Sequence, residues 1–319
     1  MHRPISQTSI ARLRVASPSG TLPARIIRPT ILSDLRPLIV LHGISRNADE
    51  LVALFTPEAE RSGRIVVVPH FAQRRWPHFQ RPCRAARPDQ ALLALLGHLA
   101  VMNPAFAGPV DLFGHSGGAQ LAHRFAMLYP HKVGRLNLAA AGWYCLPDAS
   151  MTYPYGLGGD ATPGALCWAR RHEQALPAYL RLGVQVFVGT HDTDRDDSLR
   201  QCPDLDRIQG HTRIARGHNR DIVDRADVER RIGRWTCRNN PGIDNKAIEG
   251  IAPLHDLLAI THAISVGIRV VFIRTHDEFQ DIRQIIGIGI LRIVEKDVVH
   301  TGDLKTITCR WGREANIPE

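Results

Sequence analysis

Gly114-His115-Ser116-Gly117-Gly118 sets a serine among glycines, between a short apolar run at residues 110–113 and a stretch of helical periodicity at residues 119–129. A strand that must become a helix within about two residues strains the backbone at the apex, and only small neighbours avoid a clash. Gly114 and Gly118 meet that demand. Such a turn lifts the Ser116 hydroxyl above the sheet edge and aims the first amides of the helix at whatever it attacks, an arrangement suited to acyl transfer. Context separates this reading from a plain glycine-rich turn: Ala119, Ala122, Phe125, Ala126 and Tyr129 recur at helical spacing until Pro130.

A serine nucleophile needs a histidine to take its proton, an acid to orient that histidine, and two donors for the developing oxyanion. The amide of Gly117, next after the serine, is one donor. Asp192 follows the apolar run 184–188 and Gly189, a strand-end place that suits the acid. Asp194, Asp196 and Asp197 compete with it, in a tract whose alternation with Arg195 and Arg200 also fits a solvated loop. Two histidines could be the base. His276 follows the strand-like run 269–273, whereas His255 follows a weaker one at 251–254. His211 and His218 come too soon after the acid for a strand to intervene. Trp143 and Tyr144, after the run 135–139, either line a substrate pocket or belong to the core, and Tyr153 and Tyr155 lie in the next loop.

The elements that must position these residues read as an α/β fold. Runs at 37–41, 64–68, 110–113, 135–139 and 184–188 are short, apolar and mostly unalternated, as in strands buried on both faces. Helical segments fall between them at 51–62, 89–102, 117–129 and 162–182, the last delimited by Pro163 and Pro177. This alternation predicts a mostly parallel central sheet with helices on both faces. Residues 12–16 and 24–28 predict antiparallel edge strands joined through a turn at 17–20. Ligands of such sheets bind beyond the carboxyl ends of the strands, where His42-Gly43, Ser116, Trp143 and Asp192 all fall.

Residues 11–216 resemble the α/β-hydrolase fold, in particular its polyhydroxybutyrate-depolymerase-like serine esterase branch. The resemblance is carried by Leu41-His42-Gly43-Ile44-Ser45-Arg46-Asn47, residues 114–118, Ala141-Gly142-Trp143-Tyr144, Tyr153-Pro154-Tyr155-Gly156-Leu157, and the tract 193–200 with Gln209-Gly210 after it. It implies a serine esterase that uses no cofactor and takes a small-molecule ester. By the same resemblance Ile44 supplies the second oxyanion amide, and His42 and Gly43 open that loop, with His42 a structural support rather than the base. The family carries its histidine in a Gly-His-Ser-Phe-like turn after the last strand, which this chain lacks. From Gly217 onward the pattern departs, through Asn239-Asn240-Pro241-Gly242 into an isoleucine-rich segment. The division expected is a hydrolase core over 1–217, with a cap or loop insertion at about 144–177, and a segment at 218–319 that either completes the sheet or is divergent. A reading-frame shift near Gly217 would also produce this break. The alternative function is then a catalytically inactive hydrolase-fold protein serving as a binding or structural module.

Composition narrows the field. A chain of 319 residues that is 44% hydrophobic can bury a large core. No apolar run is long enough for a membrane span, and residues 1–14 lack the apolar stretch of a secretory signal, so the expected location is the cytoplasm. The net charge of +9 comes from dispersed arginines rather than a basic run with interleaved aromatics, which argues against a nucleic-acid partner. The six cysteines form no paired metal spacing, and no metal site is expected. Nothing in the sequence fixes the oligomeric state.

Overall fold

The computed structural model describes residues 8–83, 86–148, 150–159, 165–189, 192–195, 199–221, 268–273 and 304–308. Nine strands among these form one sheet in the order β1-β2-β4-β3-β5-β6-β7-β8-β9. The four residues of β3 (Leu38–Leu41) and of β4 (Val66–Pro69) are all buried, as expected for strands covered on both faces. With β5 (Val110–His115), β6 (Val133–Ala139), β7 (Gly183–Gly189) and β8 (Ile268–Ile273) they form a continuous parallel block. Antiparallel strands flank it: β1 (Ser9–Val15) and β2 (Leu22–Arg28) on one side, β9 (Leu304–Thr308) on the other. Only β1 of the first pair is an edge strand, because β2 also pairs with β4.

Helices bridge the parallel strands: α1 (Ala48–Ser62) between β3 and β4, α2 (Pro88–Met102) between β4 and β5, α3 (Gly117–Leu128) between β5 and β6, and α4 (Ala165–Tyr179) between β6 and β7. Parity along the strands divides the core. Leu38, Val40, Val66, Val68 and Phe113 pack with Leu51, Phe55 and Ala59 of α1. Ile39, Leu41, Val67, Leu112 and Leu138 pack on the opposite face with Leu92 and Leu95 of α2, Leu121 and Phe125 of α3, and Trp168 and Leu176 of α4. Pro177 lies inside α4 rather than ending it. The segment 144–177, expected to hold a cap, gives Tyr144, Cys145, Leu146, Tyr153 and Leu157 to this second cluster. Two short helices, α5 (Pro203–Gln209) and α6 (Arg213–Asp221), follow β7.

Candidate active site

Ser116 stands between β5 and α3 at φ 52° and ψ −114°. A left-handed backbone at a non-glycine residue costs on the order of 1–3 kcal/mol and persists only where surrounding contacts enforce it. Here they do. The Ser116 amide donates to Ala139 O at 2.8 Å, tying the apex to the end of β6, and the Gln120 amide closes the first turn on Ser116 O at 3.3 Å. A methyl at Gly114 would lie 2.3 Å from Gly118 O, and one at Gly118 only 2.1 Å from Leu41 O, so both glycines are required by close backbone approach.

The same packing brings the loop after β3 against the serine. A methyl at Gly43 would lie 3.5 Å from Ser116 Cβ, and one at Gly117 would lie 2.9 Å from Ile44 Cγ2 and 3.5 Å from the Ile44 amide nitrogen. Gly43, Ile44, Ser116 and Gly117 are therefore neighbours. His42, fully buried, holds the loop from beneath: its Nε2 accepts from the Phe71 amide at 2.9 Å, which leaves the proton on Nδ1 to donate to Gly43 O at 2.8 Å. Burial, partly opposed by that hydrogen bond, pushes its pKa down to about 4. With both ring nitrogens engaged and the ring neutral, His42 acts as a prop.

Arg46, at φ 58°, locks the other side of this loop. Its guanidinium donates to Phe71 O at 3.0 Å, Trp76 O at 3.2 Å, Pro77 O at 3.1 Å and the Gln73 side chain at 2.7 Å, while lying 5.0 Å over the Phe79 ring. Phe79 in turn packs on His42 and Phe71. Arg46 belongs to the motif that carries the resemblance, but its bracing role had no sequence signal and Phe79 did not stand out, because the carbonyls and rings they meet come from a separate loop.

At the carboxyl end of β7 the Asp192 amide donates to Gly189 O at 3.1 Å, and Arg213 of α6 donates to Asp192 Oδ1 at 3.0 Å, with both side chains about nine-tenths buried. Asp194 is exposed, and Asp196 and Asp197 lie outside the described residues. His276 and His255 also lie outside them. His211 is on the surface, 3.7 Å from Asp206 Oδ2. The Arg213 contact had no sequence signal, since the helix that carries it was not anticipated.

Beyond β6, Tyr144 is fully enclosed, with its ring against His123 and its backbone paired to the Gln209 amide in both directions, at 2.9 and 2.8 Å. Trp143 is 5% exposed, edge-on to Tyr155 and contacted by the Arg124 and Arg200 guanidiniums. Arg216, 1% exposed, donates to Gly142 O, Arg200 O and Gly210 O and pairs with Asp206, fixing α5 and α6 to the strand end. Among the described residues no group of three or more His, Cys, Asp or Glu side chains could hold a metal ion, and no helix is long and apolar enough to cross a membrane.

No protein-family model matches the chain, and no curated protein matches its sequence. Solved structures do resemble it. Poly(aspartic acid) hydrolase-1 from Sphingomonas sp. KT-1 is 25% identical, over 72% of this chain and 89% of that one, with a TM-score of 0.58. LpqC, a poly(3-hydroxybutyrate) depolymerase from Bordetella parapertussis, is 21% identical, over 91% of this chain and 93% of that one, with a TM-score of 0.64. The parallel block with its strand order 4-3-5-6-7-8, the strained serine after β5 and these likenesses together establish that the chain belongs to the α/β-hydrolase fold.

Proposed function

We propose that this protein is a serine hydrolase that cleaves a carboxylic ester, in preference to the alternative of an amide, through an acyl-enzyme on Ser116. The observation that carries the reading is the strained Ser116 with the Gly117 and Ile44 backbones packed beside it. In the first half-reaction Ser116 Oγ attacks the ester carbonyl as its proton passes to a histidine, and the oxyanion is held by the two amides. The protonated histidine then gives its proton to the departing alkoxide, and water, activated in the same way, releases the acid. No cofactor enters this chemistry. The two solved neighbours, a poly(aspartic acid) hydrolase and a poly(3-hydroxybutyrate) depolymerase, point the same way.

For the acid we propose Asp192, and for the base His276. β8 runs parallel to β7 and ends at Ile273. In the sequence His276 comes three residues after Ile273. His255 is the alternative base. We propose Trp143 as part of the substrate-pocket wall and Tyr144 as its backing. The free thiols of Cys83, Cys145 and Cys202 favour a reducing, cytoplasmic compartment.

A fluorophosphonate probe should label the wild-type protein and not Ser116→Ala; labelling that persists in the mutant refutes the assignment. His276→Ala should lower turnover of a short-chain p-nitrophenyl ester by at least about 10³-fold, and an unchanged rate moves the role to His255. The second reading, a hydrolase fold without turnover, is favoured by the Arg213 guanidinium on Asp192 Oδ1, where an acid that orients a histidine would be approached. Failure of both labelling and turnover in the intact protein would select it.

A further inference from the structure

Arg200 lies at the carboxyl edge of the sheet beside the elbow, and its place there is built. Buried Arg216 donates to Arg200 O at 2.8 Å and to Gly142 O at 2.5 Å, so that the chain around Arg200 is held against the end of β6. Gly142 is next to the helix of the nucleophile: a methyl there would lie 3.2 Å from the Gln120 Nε2 and 3.9 Å from Leu199 Cδ1. Gln120 is the residue whose amide closes on Ser116 O. Arg200 is thus one residue from Leu199, which shares the surroundings of Gly142 with Gln120 of the first turn after Ser116.

The guanidinium of Arg200 is exposed and lies over two aromatic rings, 5.9 Å from the Trp143 centroid and 5.6 Å from the Tyr155 centroid. The guanidinium also hydrogen-bonds the Tyr155 side chain, but it has five in-plane N–H donors and stacking on π faces consumes none of them, so others remain able to form the fork that matches a carboxylate. No carboxylate of the described residues pairs with it. A second guanidinium, Arg124, is buried against Trp143 at 4.3 Å; it donates to Gln120 O and Pro154 O, its Nε has no partner, and no described carboxylate meets it either. Its other neighbours are the Cys145 thiol and the Tyr153 phenol, whose pKa values burial raises, so both are neutral. Two cations on one indole without an acidic partner among the described residues give this edge a positive charge that the described pairs nearby, Arg195–Asp206 and Arg213–Asp192, do not cancel.

We propose that Arg200, mounted on Trp143 and Tyr155, binds a carboxylate carried by the substrate, making the enzyme selective for anionic esters. This rests on the hydrolase reading. The carboxylate could belong to the acyl half, as in a half-ester of a dicarboxylic acid, or to the alcohol half, as at the end of an oligoester of a hydroxy acid.

Mono-p-nitrophenyl glutarate tests the first source and 3-butyryloxypropanoate the second, each against its neutral methyl-ester counterpart. For at least one pair the wild-type enzyme should prefer the anion, and Arg200→Ala should cut kcat/KM for that anion by about 10–100-fold, the span of a charge-assisted hydrogen bond. The loss should fall mainly on KM, Arg200→Lys should recover part of it, and rates on the neutral esters should stay within about twofold. Equal losses on charged and neutral esters would mark Arg200 as structural and overturn the proposal, as would the absence of any anion preference in the wild type. Titration calorimetry of monomethyl glutarate and of 3-hydroxypropanoate, one probe for each source, on wild-type protein and Arg200→Ala separates this site from the hydrolase reading. Binding lost in the mutant upholds the carboxylate site even if no ester is turned over, and binding retained by the mutant, or absent from both proteins, overturns it.

Discussion

Two adjacent glycines at the elbow have different jobs. Gly118 faces backbone, with Leu41 O at 2.1 Å and His42 O at 2.5 Å from the place a methyl would occupy, and neither carbonyl can yield without disturbing β3. Gly117 faces the flexible end of a side chain, Ile44 Cγ2. Gly118→Ala should therefore destabilise the protein by about 3 kcal/mol, seen as a lower urea midpoint. Gly117→Ala should leave that midpoint nearly unchanged. By displacing Ile44 it should lower kcat about 10²-fold, the worth of one oxyanion donor, as measured by ester hydrolysis. Equal effects of the two substitutions on stability would show that the approach to Leu41 is not as tight as described.

Between elements, the amino ends of β4 and β5 are joined by a pair the strand pattern does not announce. Arg64 donates to Asp111 Oδ2 at 2.5 Å with both side chains nine-tenths buried or more, and its Nε donates to Arg36 O. Burial lowers the Arg64 pKa, partly offset by the charge of Asp111. Removing one partner leaves the other charged and desolvated, so Arg64→Met should cost about 3–5 kcal/mol, whereas Arg64→Met with Asp111→Leu should be much closer to neutral. A double-mutant cycle in urea checks this; additive costs would refute the coupling. The unalternated runs at 37–41 and 64–68 identified the strands because burial on both faces leaves that signature. They could not identify this pair, since Arg64 and Asp111 are 47 residues apart and meet only when β3 and β4 align with β5. Helices α5 and α6 escaped the sequence for a related reason: they are short and rich in charge, and Arg216 and Gln209 help hold them in place by reaching to Gly142 and Tyr144.

Over the whole molecule, buried imidazoles couple folding to acid. His42 and His172 are both fully buried, and burial is the main cause lowering each pKa from 6.5 to about 4. Between those values the unfolded chain binds protons that the native one does not, so stability falls as pH drops from about 6.5 towards 4 and is unaffected by these groups above that window. Each shift corresponds to on the order of 3 kcal/mol at the acid end. His172, whose Nδ1 bonds Trp168 O at 2.7 Å beside Tyr153, can be replaced without touching the elbow. In His172→Phe the decline of Tm between pH 6.5 and 4 should be shallower than in the wild type; an equal slope would show that His172 titrates normally.

The sequence by itself determined the strand and helix alternation, the serine turn and the position of Asp192 after β7, because burial periodicity and steric demands on glycine are written in a few consecutive residues. It also marked the run that became β8. Tertiary structure decided what those residues touch: that Ile44 abuts Gly117, that both nitrogens of His42 are occupied, that Asp192 meets Arg213, and that Trp143 meets two guanidiniums. These are contacts between segments far apart in the chain, fixed by strand register and loop path, and local sequence carries no record of either.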